Sequence, residues 1–116
     1  MALVLCTGTN PDVIKAGQQL LERAGHRVVT AVNENELSVA CKEHQFEVAV
    51  LGESLGPQMK RHVVELIRQH CPDTKILELY QLSTARSVKD ADSWIESPSD
   101  TSKELADRVT EMTNAA

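Results

Sequence analysis

Long apolar runs are absent from this chain. No stretch approaches the roughly 20 residues that a bilayer-spanning helix needs, so no membrane segment is expected. The first residues, Met1-Ala2-Leu3-Val4-Leu5-Cys6, lack the basic start and extended apolar region of a secretion signal. Cysteine is scarce: Cys6, Cys41 and Cys71 are odd in number and irregularly spaced. They suggest no disulfide framework and a reducing, cytoplasmic setting. No G-x-G-x-x-G pattern follows the first apolar run, which weakens nucleotide or flavin binding. His26, His44, His62 and His70 lack metal-ligand spacing, and His70-Cys71 is a single pair, so no metal and no cofactor are expected. Aromatics are limited to Phe46, Tyr80 and Trp94.

Positive charge is also in deficit. The formal net charge is −5 and the pI about 5.3, which argues against direct nucleic-acid binding, because phosphate contacts need clustered Lys and Arg. The densest basic group, Lys60-Arg61-His62 with Arg68, lies in a helix-like segment and reads as a solvated face. What remains is ordinary for a soluble domain: 41% hydrophobic and 25% charged residues over 116 positions, enough for one compact unit spanning 1–116.

Strand-like and helix-like segments alternate along the chain. Leu3 to Cys6 is a short buried strand, and Asn10-Pro11 caps and opens a helix that Gly25 closes. Arg27 to Val32 is β-branched and strand-like. Asn33 or Asn35 caps a second helix carrying Leu37, Ala40 and Cys41. Phe46 to Leu51 is the most apolar strand and should be central. Pro57 opens a third helix with Met59, Val63, Leu66, Ile67 and His70 on one stripe, stopped by Cys71-Pro72. Lys75 to Leu79 is a fourth strand, Ser83 to Ala91 a short helix, and Ser93 to Glu96 a fifth strand. Ser99 or Asp100 caps a last helix with Leu105, Val109 and Met112. Such alternation specifies an α/β fold: three layers, doubly wound, with helices on both faces of a parallel sheet.

The order and spacing of these segments resemble the receiver domain of bacterial two-component response regulators. The resemblance runs over nearly the whole chain. It is carried by Pro11-Asp12-Val13, Leu20-Leu21-Glu22-Arg23-Ala24-Gly25-His26, Phe46-Glu47-Val48-Ala49-Val50-Leu51, Cys71-Pro72-Asp73-Thr74-Lys75-Ile76 and Ala91-Asp92-Ser93-Trp94-Ile95. It implies a flavodoxin-like, five-stranded sheet of order 2-1-3-4-5.

The resemblance also says where the family's chemistry would sit. Acids after the first strand, which bind Mg²⁺, are replaced by Thr7-Gly8-Thr9. The phosphoacceptor aspartate after the third strand falls at Gly52. The hydroxyl residue of the fourth strand falls at Tyr80, and the lysine of the fifth at Ser97, before Pro98 in a bond that is often cis in the family. Metal ligands, nucleophile and cation are lost together, leaving nothing to stabilise phosphoryl transfer. Glu53 follows Gly52, but alternation along a strand turns it to the other face, so it reads as a loop acid rather than a substitute acceptor. The resemblance therefore implies a degenerate receiver. It would be no enzyme and would act through protein partners in signalling or transcriptional control, with a homodimer as one form. Trp94 and Glu96 are the candidate interface, with partial burial of Trp94 against the last helix as the other reading. An alternative is a small phosphotransfer enzyme using Cys6, similar to the cysteine components of sugar-transport systems. There, Thr7-Gly8-Thr9-Asn10 would offer backbone N–H groups to an anion.

Overall fold

The computed structural model describes residues 3–52, 55–81, 87–97 and 101–114, with the side chains of residues 97, 101–103 and 114 outside that description. Strand β1 (Leu3–Thr7) leads to helix α1 (Pro11–Arg23), then β2 (Arg27–Ala31), α2 (Glu34–Glu43), β3 (Val48–Leu51), α3 (Pro57–His70), β4 (Lys75–Gln81), β5 (Ser93–Ser97) and α4 (Thr101–Asn114). The strands form one sheet of order β2-β1-β3-β4-β5, and every pairing is parallel. This is the doubly wound architecture expected from the alternation of segments.

Period-2 alternation divides the core into two layers. Val4, Cys6, Val48, Val50, Leu77 and Leu79 face α1 and α4 and pack on Ile14, Leu21, Leu105 and Val109. Leu5, Ala49, Leu51 and Ile76 face the other way, onto Leu37, Ala40, Val63, Val64 and Ile67 of α2 and α3. All four residues of β3 are buried, as a central parallel strand requires. The helix starts follow the sequence signals. The Asn10 side chain accepts from the Asp12 N–H with Pro11 at the first helical position, and Asn33 accepts from the Glu36 N–H. Gly25 takes the left-handed conformation, with φ 95°, that ends α1.

Gly17 lies mid-helix in α1, where a Cβ would meet Leu105 Cδ2 at 3.8 Å, an ordinary contact. Gly17→Ala removes unfolded-chain entropy without a clash, and should raise stability by about 0.5–1 kcal/mol in chemical denaturation.

Three expectations are corrected. Cys41, in α2, and Cys71, at the C-cap of α3, form a disulfide with Cα atoms 5.7 Å apart, and Cys6 is the free, buried cysteine. Sequence distance hid this pair: the two helices lie side by side on one face of the sheet and bring their C-terminal ends together. The ground for inferring a reducing compartment goes with it. Among the described residues, no helix is long and apolar enough to cross a membrane.

The second correction concerns the short helix expected over Ser83 to Ala91. Its described part, residues 87–91, is bend and turn, and residues 82–86 lie outside the described set. Side chains hold this segment where helical bonds were expected. Asp92 accepts from the Ile76 N–H at 2.7 Å, Arg68 pairs with Asp90 at 3.0 Å, and Trp94 Nε1 donates to the Val88 carbonyl at 2.9 Å.

The third is Lys60, which belongs to no solvated basic face. It is 2% exposed, while Met59, placed on the apolar stripe, is 47% exposed.

Candidate functional site

The sheet's C-terminal rim gathers the positions that the sequence singles out. β1 ends at Thr7, β3 at Leu51 just before Gly52, β4 at Gln81 just after Tyr80, and β5 at Ser97. The Gly52 N–H donates to the Thr7 carbonyl at 2.9 Å, and the Gly52 carbonyl accepts from the Leu55 N–H at 3.1 Å. Both strand ends are thereby closed by backbone bonds. Thr7 is 5% exposed, and its Oγ1 donates to the Val50 carbonyl at 2.9 Å. Gly8 is buried beside it and Thr9 is exposed. Tyr80 is half-buried, on the α3 side of β4, and pairs in register with the exposed Glu96. Ser97 pairs with Gln81 through the backbone. Glu53 and Pro98, and with them the proline isomer and the caps expected at Ser99 or Asp100, lie outside the described residues.

Trp94 is half-buried, but not against the last helix. Ile95 takes that side, so alternation sends Trp94 to the opposite layer, where it packs beside Val88 and Ala91. Arg108 of α4 reaches the Trp94 carbonyl at 3.1 Å.

The strongest electrostatic feature was not read from the sequence. Glu78, fully buried on β4, meets Lys60 Nζ at 2.9 Å, and Lys60 also donates to the Leu79 carbonyl at 2.7 Å. The Glu78 carboxylate further accepts the backbone N–H groups of Ser87, at 2.9 and 3.1 Å, and Val88, at 3.0 Å. One carboxylate thus ties α3 and the β4–β5 connection to the sheet. The available signal was an acid within the apolar strand Lys75-Ile76-Leu77-Glu78-Leu79, at an inward position that demands a partner. Of the other members of the expected basic group, Arg61 is exposed, His62 pairs with Glu34 at 3.2 Å, and Arg68 pairs with Asp90.

The chemistry open to this rim is narrow. Gly52 offers no nucleophile. The receiver-like arrangement implies a divalent cation beside it, and the described residues do not fit one. Where carboxylates would be needed stand Thr7, Gly8 and Thr9, and the Thr7 hydroxyl proton is committed to Val50. Among the described residues, no group of three or more His, Cys, Asp or Glu converges to hold a metal.

Cys6 does not suit nucleophilic work. It is 5% exposed on the α1/α4 side of the sheet, and burial, followed by the charge of Glu22, pushes its thiol up to about 12. The expected activated thiolate is replaced by an inert, protonated core cysteine. Labelling of the native protein with a disulfide reagent at neutral pH should modify Cys6 far more slowly than a model thiol, and denaturant should restore the ordinary rate.

Neither the family models nor the curated proteins yield a match. Solved structures do. The receiver domain of the Francisella response regulator 1452 superposes with TM-score 0.80 at 16% identity, covering 97% of each chain. The chemotaxis protein CheY4 of Vibrio cholerae gives TM-score 0.79 at 21% identity, covering 97% of this chain and 98% of its own. A response regulator from Burkholderia pseudomallei, solved with a phosphorylated aspartic acid, calcium and citrate, gives 0.72 at 23% identity over 98% of this chain and 74% of its own. Identities this low speak for architecture alone, and on architecture they agree with the strand order found here. The chain has the CheY-like, flavodoxin-type fold of response-regulator receiver domains.

Proposed function

We propose that this chain is a degenerate receiver: a signalling module that keeps the receiver fold, performs no phosphoryl transfer, and acts by contact with protein partners. The observation that carries this reading is Gly52 at the end of β3, next to Thr7-Gly8-Thr9 at the end of β1. Among the described residues, a phosphoryl group arriving there would meet no nucleophile, and its charge would find no metal ligands beside it. The neighbouring folds belong to response regulators and to the receiver of a hybrid histidine kinase, which supports partners drawn from two-component signalling or transcriptional control.

The contact surface in this reading is the β5 edge of the sheet, with Trp94 and Glu96. It involves protein rather than nucleic acid, since His62 and Arg68 of the basic group already face carboxylates and Lys60 is buried. A homodimer through the same edge is the simplest assembly. The Cys6 enzyme reading has no support from the buried thiol.

The test is intact-mass measurement after incubation with Mg²⁺ and acetyl phosphate. Unchanged mass is expected, and a stable acid-labile phosphoryl adduct on any carboxylate would overturn the proposal. Restoring one part is not enough. Gly52→Asp supplies a carboxylate without metal ligands or lysine, and should remain unphosphorylated under the same conditions, within the detection limit of the spectrum.

A further inference from the structure

At the C-terminal rim, between α2 and α3, lies a cavity of about 320 Å³. Its walls are Ala31, Leu37, Leu55, Val63 and Leu66, with Met59 at the outer edge. It opens outside the carboxyl ends of the strands, where sheets of this type bind ligands, and its volume suits a small molecule. We propose that this cavity is a binding site for a small uncharged molecule with an apolar ring or branched body and a single O–H or N–H donor. This inference rests on the fold and the cavity, and stands whether or not the chain accepts phosphate.

Three observations choose that class. Among the described residues the lining carries two ionisable side chains, His62 and Glu34, and they are bonded to each other at 3.2 Å. A charged ligand would compete with that bond for its partner, whereas a neutral one leaves it intact. Thr7, also in the lining, is 5% exposed, and its Oγ1 proton goes to the Val50 carbonyl. A threonine oxygen keeps acceptor capacity after donating, so the complementary ligand group is a donor. Finally, the His62–Glu34 pair spans from α3 to α2 at the solvent side, with both residues about half exposed. A bridge there admits a compact molecule more readily than a partner's backbone, which favours a free ligand over an inserted protein segment.

The experiment uses the full ¹⁵N-labelled chain and three probes: indole, which is neutral with one N–H; indole-3-acetate, its anionic relative; and tryptamine, its cationic one. Indole is expected to shift the amides of Thr7, Gly8, Leu37, Val63 and Leu66 saturably, with Kd on the order of 0.1–1 mM for so small a ligand. The charged relatives should bind at least about tenfold more weakly, a difference of roughly 1.4 kcal/mol. Met59→Trp and Leu66→Trp fill the cavity from its mouth and its wall, and Met59 is exposed enough for the first to leave the fold intact. Both should abolish the indole shifts.

Absence of saturable shifts with indole in the native chain overturns the site. So do shifts that survive both filling variants in chains whose spectra remain folded. Equal binding of either charged relative overturns the uncharged class. None of these outcomes bears on the mass measurement above, so the two readings fail separately.

Discussion

Glu78→Ala should cost this protein about 3–5 kcal/mol, a large share of the 5–15 kcal/mol that holds an ordinary domain together. The substitution strands the Lys60 ammonium, 2% exposed, without its counter-charge. It also leaves the Ser87 and Val88 N–H groups without their acceptor. Lys60→Ala should cost a similar amount by stranding the carboxylate. Removing both charges together is different: Lys60→Met with Glu78→Gln keeps a carbonyl oxygen for the two amides and buries no ion. The double variant should therefore be more stable than either alanine variant by about 2 kcal/mol or more, because a neutral replacement of a buried pair is often tolerated. Chemical denaturation reads all three. The single tryptophan gives a second readout, since Trp94 Nε1 is bonded to the Val88 carbonyl in the segment that Glu78 holds. Its emission should shift to the red in Glu78→Ala before global unfolding. Losses that simply add in the double variant would show that the two side chains do not act as a pair.

Reduction of the Cys41–Cys71 bond should produce the second large effect. The bond joins positions 30 residues apart, and a loop of that length restrains the unfolded chain by about 3–4 kcal/mol on the chain-entropy account. For a domain of this size the melting temperature should fall by on the order of 10–20 °C on adding reductant. Paired Cys41→Ala and Cys71→Ala substitutions should fall by at least as much and should no longer respond to reductant. A melting temperature indifferent to reductant in the unmodified chain would contradict the pairing.

Both effects come from contacts that no local pattern announces. The strands, the four long helices and the caps of α1 and α2 were legible because each depends on neighbours in sequence: Asn10-Pro11, Asn33, Gly25 and the unbroken apolar run of β3 all act over a few residues. The sheet order followed from resemblance. Cys41 meets Cys71 only after α2 and α3 pack side by side, and Lys60 meets Glu78 only once α3 lies on β4. Lys60 carries the same charge as its exposed neighbours Arg61 and His62 can carry, and only tertiary packing tells them apart. Residues 87–91, the described part of the segment before β5, are not helical for a related reason. There the Ser87 and Val88 N–H groups go to Glu78 and the Val88 carbonyl to Trp94, so the backbone is held from outside the segment rather than by helical bonds. The candidate site was legible in its composition, Thr7-Gly8-Thr9 and Gly52, but not in its closure by the bond from Gly52 to Thr7.

The central claim is that this rim cannot assemble a magnesium and phosphate centre. Its most direct test is an amide NMR titration of the unmodified chain with Mg²⁺, followed by acetyl phosphate, watching Thr7, Gly8, Thr9 and Gly52. Resonances that stay in place through millimolar additions of both are the predicted result. Saturable movement of those four amides, with Mg²⁺ required for the response to acetyl phosphate, would contradict it.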